Sequence, residues 1–208
     1  MAGRYSLRNG VISADGNVSG KKLIVSDKIA MQYIIPLTVA ESTSAIMTGE
    51  DINANGTSAY DKSDLLIQPP YAMQIHLNWN AVGSASDADA LTFAGEDAKG
   101  AAISEALVIS SAASGNVYTS RAFAKIDSIT PNAVSPCTDI GIGFRKNIGL
   151  PYPITASADI VTYAYNGIYL TTATDSITVV STTYNVITMP TMSAGSVAAI
   201  VYKTKLQE

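Results

Sequence analysis

His76 is the only histidine and Cys137 the only cysteine among 208 residues, so few side chains are equipped for chemistry. A general base must sit within hydrogen-bond reach of the proton it takes. His76 lies between Gln74 and Asn78 in an alternating stretch, and reads as a surface or interface histidine. Catalytic zinc takes several His or Cys ligands, and one of each is too few. Cys137 follows Pro136 with no basic cluster nearby in sequence to lower its pKa, so it reads as a passive thiol. Asp87-Ala88-Asp89 and Glu96-Asp97 could offer oxygen ligands to calcium. Their spacing is not that of an EF-hand loop, and acidic turns between strands carry the same residues. Gly141-Ile142-Gly143 lacks the following helix and the further glycines of a phosphate loop. Glycines alternating with Ile140, Ile142 and Phe144 instead fit a strand whose bare face lies close to another backbone. The expectation is no catalytic residue, no metal and no cofactor.

Residues suited to binding are easier to find. Tyr163 and Tyr165 share one face of a strand. They form a sugar-stacking platform, a contact between subunits, or a core edge with phenol hydroxyls at its rim. Arg4, Arg8, Lys21, Lys22 and Lys28 face only Asp15 and Asp27 within residues 1–28, a balance of +3. Residues 29–98 hold Lys62 against nine acids, a balance of −8, and the whole chain is at −4. A nucleic-acid binder needs clustered Lys and Arg to displace counterions from phosphates, so no nucleic-acid partner is expected. A basic arm beside an acidic body fits an arm reaching onto a neighbouring subunit, with Arg4, Arg8, Lys21 and Lys22 as its contacts. The alternative is a solvated, frayed terminus. Charged residues make up 14% of the chain and hydrophobic ones 47%. So few charges suit a surface covered by partners, or one kept wet by Thr, Ser and Asn.

The elements that must position these residues are strands. Met73, Ile75, Leu77 and Trp79 alternate with Gln74, His76, Asn78 and Asn80, the pattern of a half-buried antiparallel strand. Further strands are expected at 31–39, 64–68, 90–95, 103–110, 121–130, 138–144, 160–165, 168–173, 176–181, 184–189 and 196–203. Asn166-Gly167 suits a two-residue hairpin, and Gly95 to Gly100 a longer one. Pro69-Pro70 and Pro151-Tyr152-Pro153 mark strand ends or corners. Residues 40–63, rich in Ser, Thr, Gly, Asn and Ala, read as a long loop. About a dozen short strands predict an all-β antiparallel sandwich, Ig-like or jelly-roll-like, with an extended N-terminal arm. The arm covers 1–30 and the main domain 31–154, while 155–208 completes the sandwich or forms a second small β unit. The start lacks the apolar stretch of a secretory signal, and no run approaches the ~18 apolar residues of a membrane span. Synthesis and assembly in a cytoplasm are expected, with no membrane partner.

Residues 91–154 carry three ordered segments. Leu91-Thr92-Phe93-Ala94 runs into Gly95-Glu96-Asp97-Ala98-Lys99-Gly100 and on to Ile103-Ser104-Glu105. Ser120 to Thr130 follows, with Phe123, Ile126 and Ile129, and Ile140 to Pro151 ends in Gly149-Leu150-Pro151. With Gln68-Pro69-Pro70 ahead of them, these segments resemble a stretch recurrent in tailed-phage virion structural proteins. There a strand ends in Gly-x-Asp, then x-x-Gly and a step into Ile-Thr/Ser-Glu. The series covers about a third of the chain. It departs from the family pattern at Asn147, where an acid is frequent, and at Phe144-Arg145-Lys146, where small or polar residues are usual. The resemblance implies a particle component with no catalytic residues to carry over. A head decoration or cement protein would bind the major capsid protein on the outer head surface and associate with itself as a dimer or trimer. A tail or fibre component is the alternative seat. A carbohydrate-binding module using Tyr163 and Tyr165 is the alternative class, and a hydrolase would need a carboxylate pair that sequence does not reveal.

Overall fold

A computed structural model describes residues 5–8, 11–14, 28–35, 40–52, 59–81, 89–109, 114–132, 137–170, 177–189 and 194–205. Along the chain the strands are β1 (Tyr5–Arg8), β2 (Val11–Ala14), β3 (Lys28–Ile35), β4 (Ser42–Ile52), β5 (Tyr60–Asp61) and β6 (Met73–Ala81). Then come β7 (Ala90–Glu96), β8 (Ala102–Val108), β9 (Ser114–Phe123), β10 (Lys125–Asn132) and β11 (Cys137–Gly149). The last are β12 (Ile160–Tyr165), β13 (Ile168–Leu170), β14 (Thr178–Ser181), β15 (Val186–Thr188) and β16 (Ala198–Lys205). A single 3-10 turn, Ser157–Asp159, is the only helical element among the described residues. The protein is all-β and sandwich-like, as the alternation predicts.

Every strand pairing among the described residues is antiparallel. Three larger sheets run β5-β10-β7-β8, β14-β15-β11-β6-β9 and β13-β12-β16-β3, and β4 joins the second by pairing with β11. Strands drawn from residues 155–208 are therefore shared between two sheets. Strand β11 is the hub. One edge bonds β6 along its length, while the other takes β4 from Cys137 to Phe144 and β15 from Asn147 to Gly149. Inward-facing residues of all three sheets form one cluster that includes Met73, Ile75, Leu77, Phe93, Phe123, Ile142, Ile200 and Tyr202. Each large apolar side chain buried there contributes about 1.5–3 kcal/mol. Phe93 and Phe123 meet across the sheets with ring centroids 6.4 Å apart.

Two glycines allow close approaches that a side chain would block. A methyl group built on Gly143 would enter the Ser42 carbonyl of β4, and one on Gly95 would enter the Lys125 carbonyl of β10. The glycine face of β11 is thus bare because β4 lies against it, as the spacing suggests. The Asn166-Gly167 hairpin forms with both residues at positive φ, 50° and 80°. Asn166 also accepts a hydrogen bond from the Val197 amide through its side chain, at 3.0 Å.

Several expectations need correction. Residues 40–63 are not one loop, since they contain β4 and β5. Three register shifts against β11 break the period-two signal of β4, and among residues 42–49 only Ile46 and Met47 are buried. Residues 64–68 are not a strand: Asp64 sits in a turn bonded to the Asp61 carbonyl, and Leu66 and Ile67 are exposed. Residues 121–130 are not one strand either. The chain leaves the six-stranded sheet at Phe123 and enters the four-stranded sheet at Lys125, with Ala124 as the corner. In the amino-terminal stretch, β1 and β2 form a hairpin that pairs with no other strand among the described residues.

Filling the glycine strip should be costly because backbone, not a flexible side chain, stands in the way. Gly143→Ala is expected to destabilise by about 1–3 kcal/mol, read as a lower urea midpoint. Gly167→Ala, with open space around it, should cost only about 1 kcal/mol through its positive φ.

Candidate binding face

The outer side of the six-stranded sheet is polar, and its β6 side chains follow from the alternation that puts Ile75 and Leu77 inside. Three strands bring Gln74, His76 and Asn78 of β6 beside Tyr118 of β9 and Arg145 and Asn147 of β11. A ladder of hydrogen bonds runs across them. Thr188 donates to Asn147 Oδ1 at 2.7 Å, and Asn147 donates to Gln74 Oε1 at 2.6 Å. Gln74 in turn donates to the Ser120 carbonyl at 3.3 Å. Asn78 reaches past Gly141 to donate to the Thr43 carbonyl at 2.6 Å, which ties β6 to β4 over the top of β11. A side chain at Gly141 would collide with that amide. Asn147, a departure from the family-like pattern, is therefore the middle rung of a buried network.

Strand β9 bulges between Tyr118 and Ala122, spending four residues where β6 spends two. The bulge frees backbone groups, and side chains satisfy them. The Thr119 hydroxyl accepts from the Ile75 amide at 2.9 Å and donates to the Arg121 carbonyl at 2.7 Å. The Glu105 carboxylate accepts from the Ser120 and Arg121 amides at 2.6 and 2.9 Å. Because Glu105 belongs to β8, this pair of bonds also staples the two sheets together. The bulge pushes Tyr118, Ser120 and Arg121 outward.

Two clefts open there, separated by Tyr184 of the turn between β14 and β15. One of about 390 Å³ is lined by Gln74, Tyr118, Ser120, Arg145, Ser181 and Tyr184, among others. The other, about 250 Å³, is lined by Asp97, Ile103, Arg121, Ala122 and residues 183–185. Arginines brace both rings. The Arg145 guanidinium lies 3.9 Å from the Tyr118 ring centre and the Arg121 guanidinium 4.9 Å from that of Tyr184. Arg145 also approaches Glu41 at 3.7 Å.

His76 stacks on Tyr118 at 4.7 Å and is 6% exposed, so it is a buried histidine and not a surface one. Neither ring nitrogen has a hydrogen-bond partner among the described residues. Burial holds its pKa below the usual histidine value, opposed by Glu41 and aided by Arg145. A neutral imidazole stacked on a phenol ring is a packing group, not a positioned base.

Of the residues expected to bind, the structure describes Arg8, Tyr163 and Tyr165. Tyr163 is 5% exposed and lies in the core, which leaves its ring closed to an outside partner. Tyr165 ends β12 opposite Ile168. Arg8 ends β1 opposite Val11, while Arg4, Lys21 and Lys22 lie outside the described residues. Asp97, considered for calcium, uses its carboxylate inside its own turn, accepting from the Lys99 and Ala101 amides at 2.7 and 3.0 Å. Asp89 is buried, and Asp87 lies outside the described residues. No group of three or more His, Cys, Asp or Glu able to hold a metal occurs among the described residues. No helix among them is long and apolar enough to cross a membrane. Tyr118, Arg121, Arg145 and Tyr184 escape sequence reading because a bulge and a distant turn bring them together. No family model, curated protein or solved structure matches the chain.

Removing the middle rung should leave the buried Gln74 amide oxygen and the half-buried Thr188 hydroxyl without their partner. Asn147→Leu is expected to cost about 2–4 kcal/mol, measured by chemical denaturation. The histidine gives a pH signature. Its folded pKa lies below the unfolded one, so the unfolded chain binds more protons as pH falls through about 6.5, and stability is lost in that direction. His76→Phe keeps the stack and should flatten the fall in melting temperature between about pH 7 and 5.

Proposed function

We propose that the protein is a non-enzymatic structural component of a tailed-phage particle, seated on the head as a decoration protein bound to the major capsid protein. The observation that carries this reading is the work done by Gly95, Asp97, Gly100, Glu105 and Gly149 of the family-like segments, and by Gln68 ahead of them, which shape the fold. Gly95 lets β10 pass against β7, Asp97 caps its turn, and Gly100 takes a φ of 80° there. Glu105 joins two sheets, and Gly149 lies so close to Ala122 that a methyl group would come within 2.7 Å of its Cβ. Gln68 mimics a neighbouring strand, with its side-chain amide accepting from and donating to the Ile126 backbone at 2.9 and 3.1 Å. A motif set spent on turns and sheet crossings is a fold signature, which is what a scaffold component needs.

The surface adds support. Across β3, β16 and β12, Ile34 is 54% exposed beside Ala199 and Ala164, with Gln32, Val201 and Thr162 as the next row and no charge in either. These two uncharged rows, bordered by Lys203 and Lys205 further along the same face of β16, suit coverage by a neighbouring subunit. A subunit that binds only the assembled shell stabilises it by mass action. The basic amino-terminal stretch supplies steering toward an acidic neighbour.

Mass spectrometry and electron microscopy of purified particles test the seat. On the order of hundreds of copies on the head is expected for a lattice component, whereas a handful confined to the tail would exclude decoration. Deleting residues 2–27 should leave a folded β protein that no longer binds heads, because among the described residues β1 and β2 pair only with each other. Normal occupancy by the truncated protein would remove the arm from the mechanism.

A further inference from the structure

The cleft between the β9 bulge and the β14–β15 turn opens beside the framework network, with Gln74 and Thr119 of that network in its lining. We infer that it binds an acidic sugar, a uronate residue of a glycan. Its volume of about 390 Å³ falls within the range of small-molecule clefts. The lining is dense in groups that both donate and accept: the hydroxyls of Tyr118, Ser120, Ser181 and Tyr184. The edges of a pyranose, with alternating hydroxyls, match such a set. Ser181 accepts from the Tyr184 amide, which leaves its own hydroxyl proton to donate.

Two features narrow the sugar to an acidic one. Arg145 is the only charged residue lining this cleft, in a chain whose net charge is −4. Its planar fork matches a carboxylate, and although Glu41 approaches its Nε at 3.7 Å from outside the lining, no carboxylate stands on the cleft walls themselves. Tyr184 supplies the flat apolar surface that a sugar ring's CH face requires. It is 39% exposed and forms the wall between the two clefts, and Arg121, which stacks on it, lines only the other one. Both aromatic rings are already braced by guanidinium groups, so binding orders little that is not ordered beforehand. An acidic peptide would also satisfy Arg145 but has no ring to lie on Tyr184, so pentaglutamate serves as the competitor in the test.

The site is independent of where the protein sits in a particle, and so is its test. The isotope-labelled full chain is titrated with D-glucuronate, D-glucose and a pentaglutamate peptide while amide shifts are followed. Saturable shifts with glucuronate at Ser120, Arg145 and Tyr184 are expected, with glucose about tenfold weaker for want of the charge-assisted pair. Arg145→Lys, which keeps the charge and loses the fork, should reduce that preference several-fold. Tyr184→Ala, an exposed change whose amide still reaches Ser181, should weaken both sugars by about tenfold. No saturation by about 50 mM glucuronate, at which even millimolar affinity is visible, would overturn the inference. So would tighter binding of the peptide at the same amides, or unchanged sugar binding in Tyr184→Ala.

Discussion

A strand in the middle of a sheet must have its backbone groups satisfied along both edges, and a long one needs more than one neighbour to do it. Strand β11 meets that demand with three. Strand β6 takes one edge, and β4 and β15 divide the other, with the changeover at Arg145 and Lys146. Nearly everything else in the molecule is arranged around this division. The bare glycines let β4 settle against the strand, Asn78 crosses above Gly141 to hold it there, and the Gln74–Asn147–Thr188 ladder fastens the half that β15 occupies.

The second organising feature is the single ribbon formed by β9 and β10, which begins in one sheet and ends in another. Spacing explains how it keeps its apolar side inward. Phe123, Ile126 and Ile129 lie three apart, yet all are fully buried. A strand alternates with period two, so such spacing requires an interruption between each pair. Ala124 provides the first, where the chain changes sheets, and the bulge between Ile126 and Ser128 provides the second. The Gln68 amide covers the backbone of Ile126 next to that bulge.

Much of the architecture was legible in the residues where alternation is clean. Strand β6, the Asn166-Gly167 hairpin and the close approach along the β11 glycines all follow from period, turn chemistry and the absence of a side chain. Strand β4 was hidden because bulges scramble its phase and small polar residues imitate a loop. Leu65, Leu66, Ile67 and Gln68 misled in the opposite sense: an apolar run beside two prolines has strand composition but ends in a side chain that does the pairing. The binding face was legible only in part. His76, Gln74 and Asn78 announce a polar side of β6, but their burial under Tyr118 and Arg145 depends on contacts distant in sequence. Clefts around Tyr184 required the register of four strands, which no local pattern encodes.

The corner at Ala124 has a mechanical meaning. A pull on the four-stranded sheet along β10 passes through one residue into β9 and loads the six-stranded sheet lengthwise, in shear. Hydrogen bonds loaded that way share the force and must fail together, whereas a hairpin pulled apart from its end opens one bond at a time. Glu105, gripping two amides of β9 from β8, adds a second connection in parallel with the first. The two sheets joined by β9 and β10 are therefore coupled through two connections, the Ala124 corner and the Glu105 grip, instead of one.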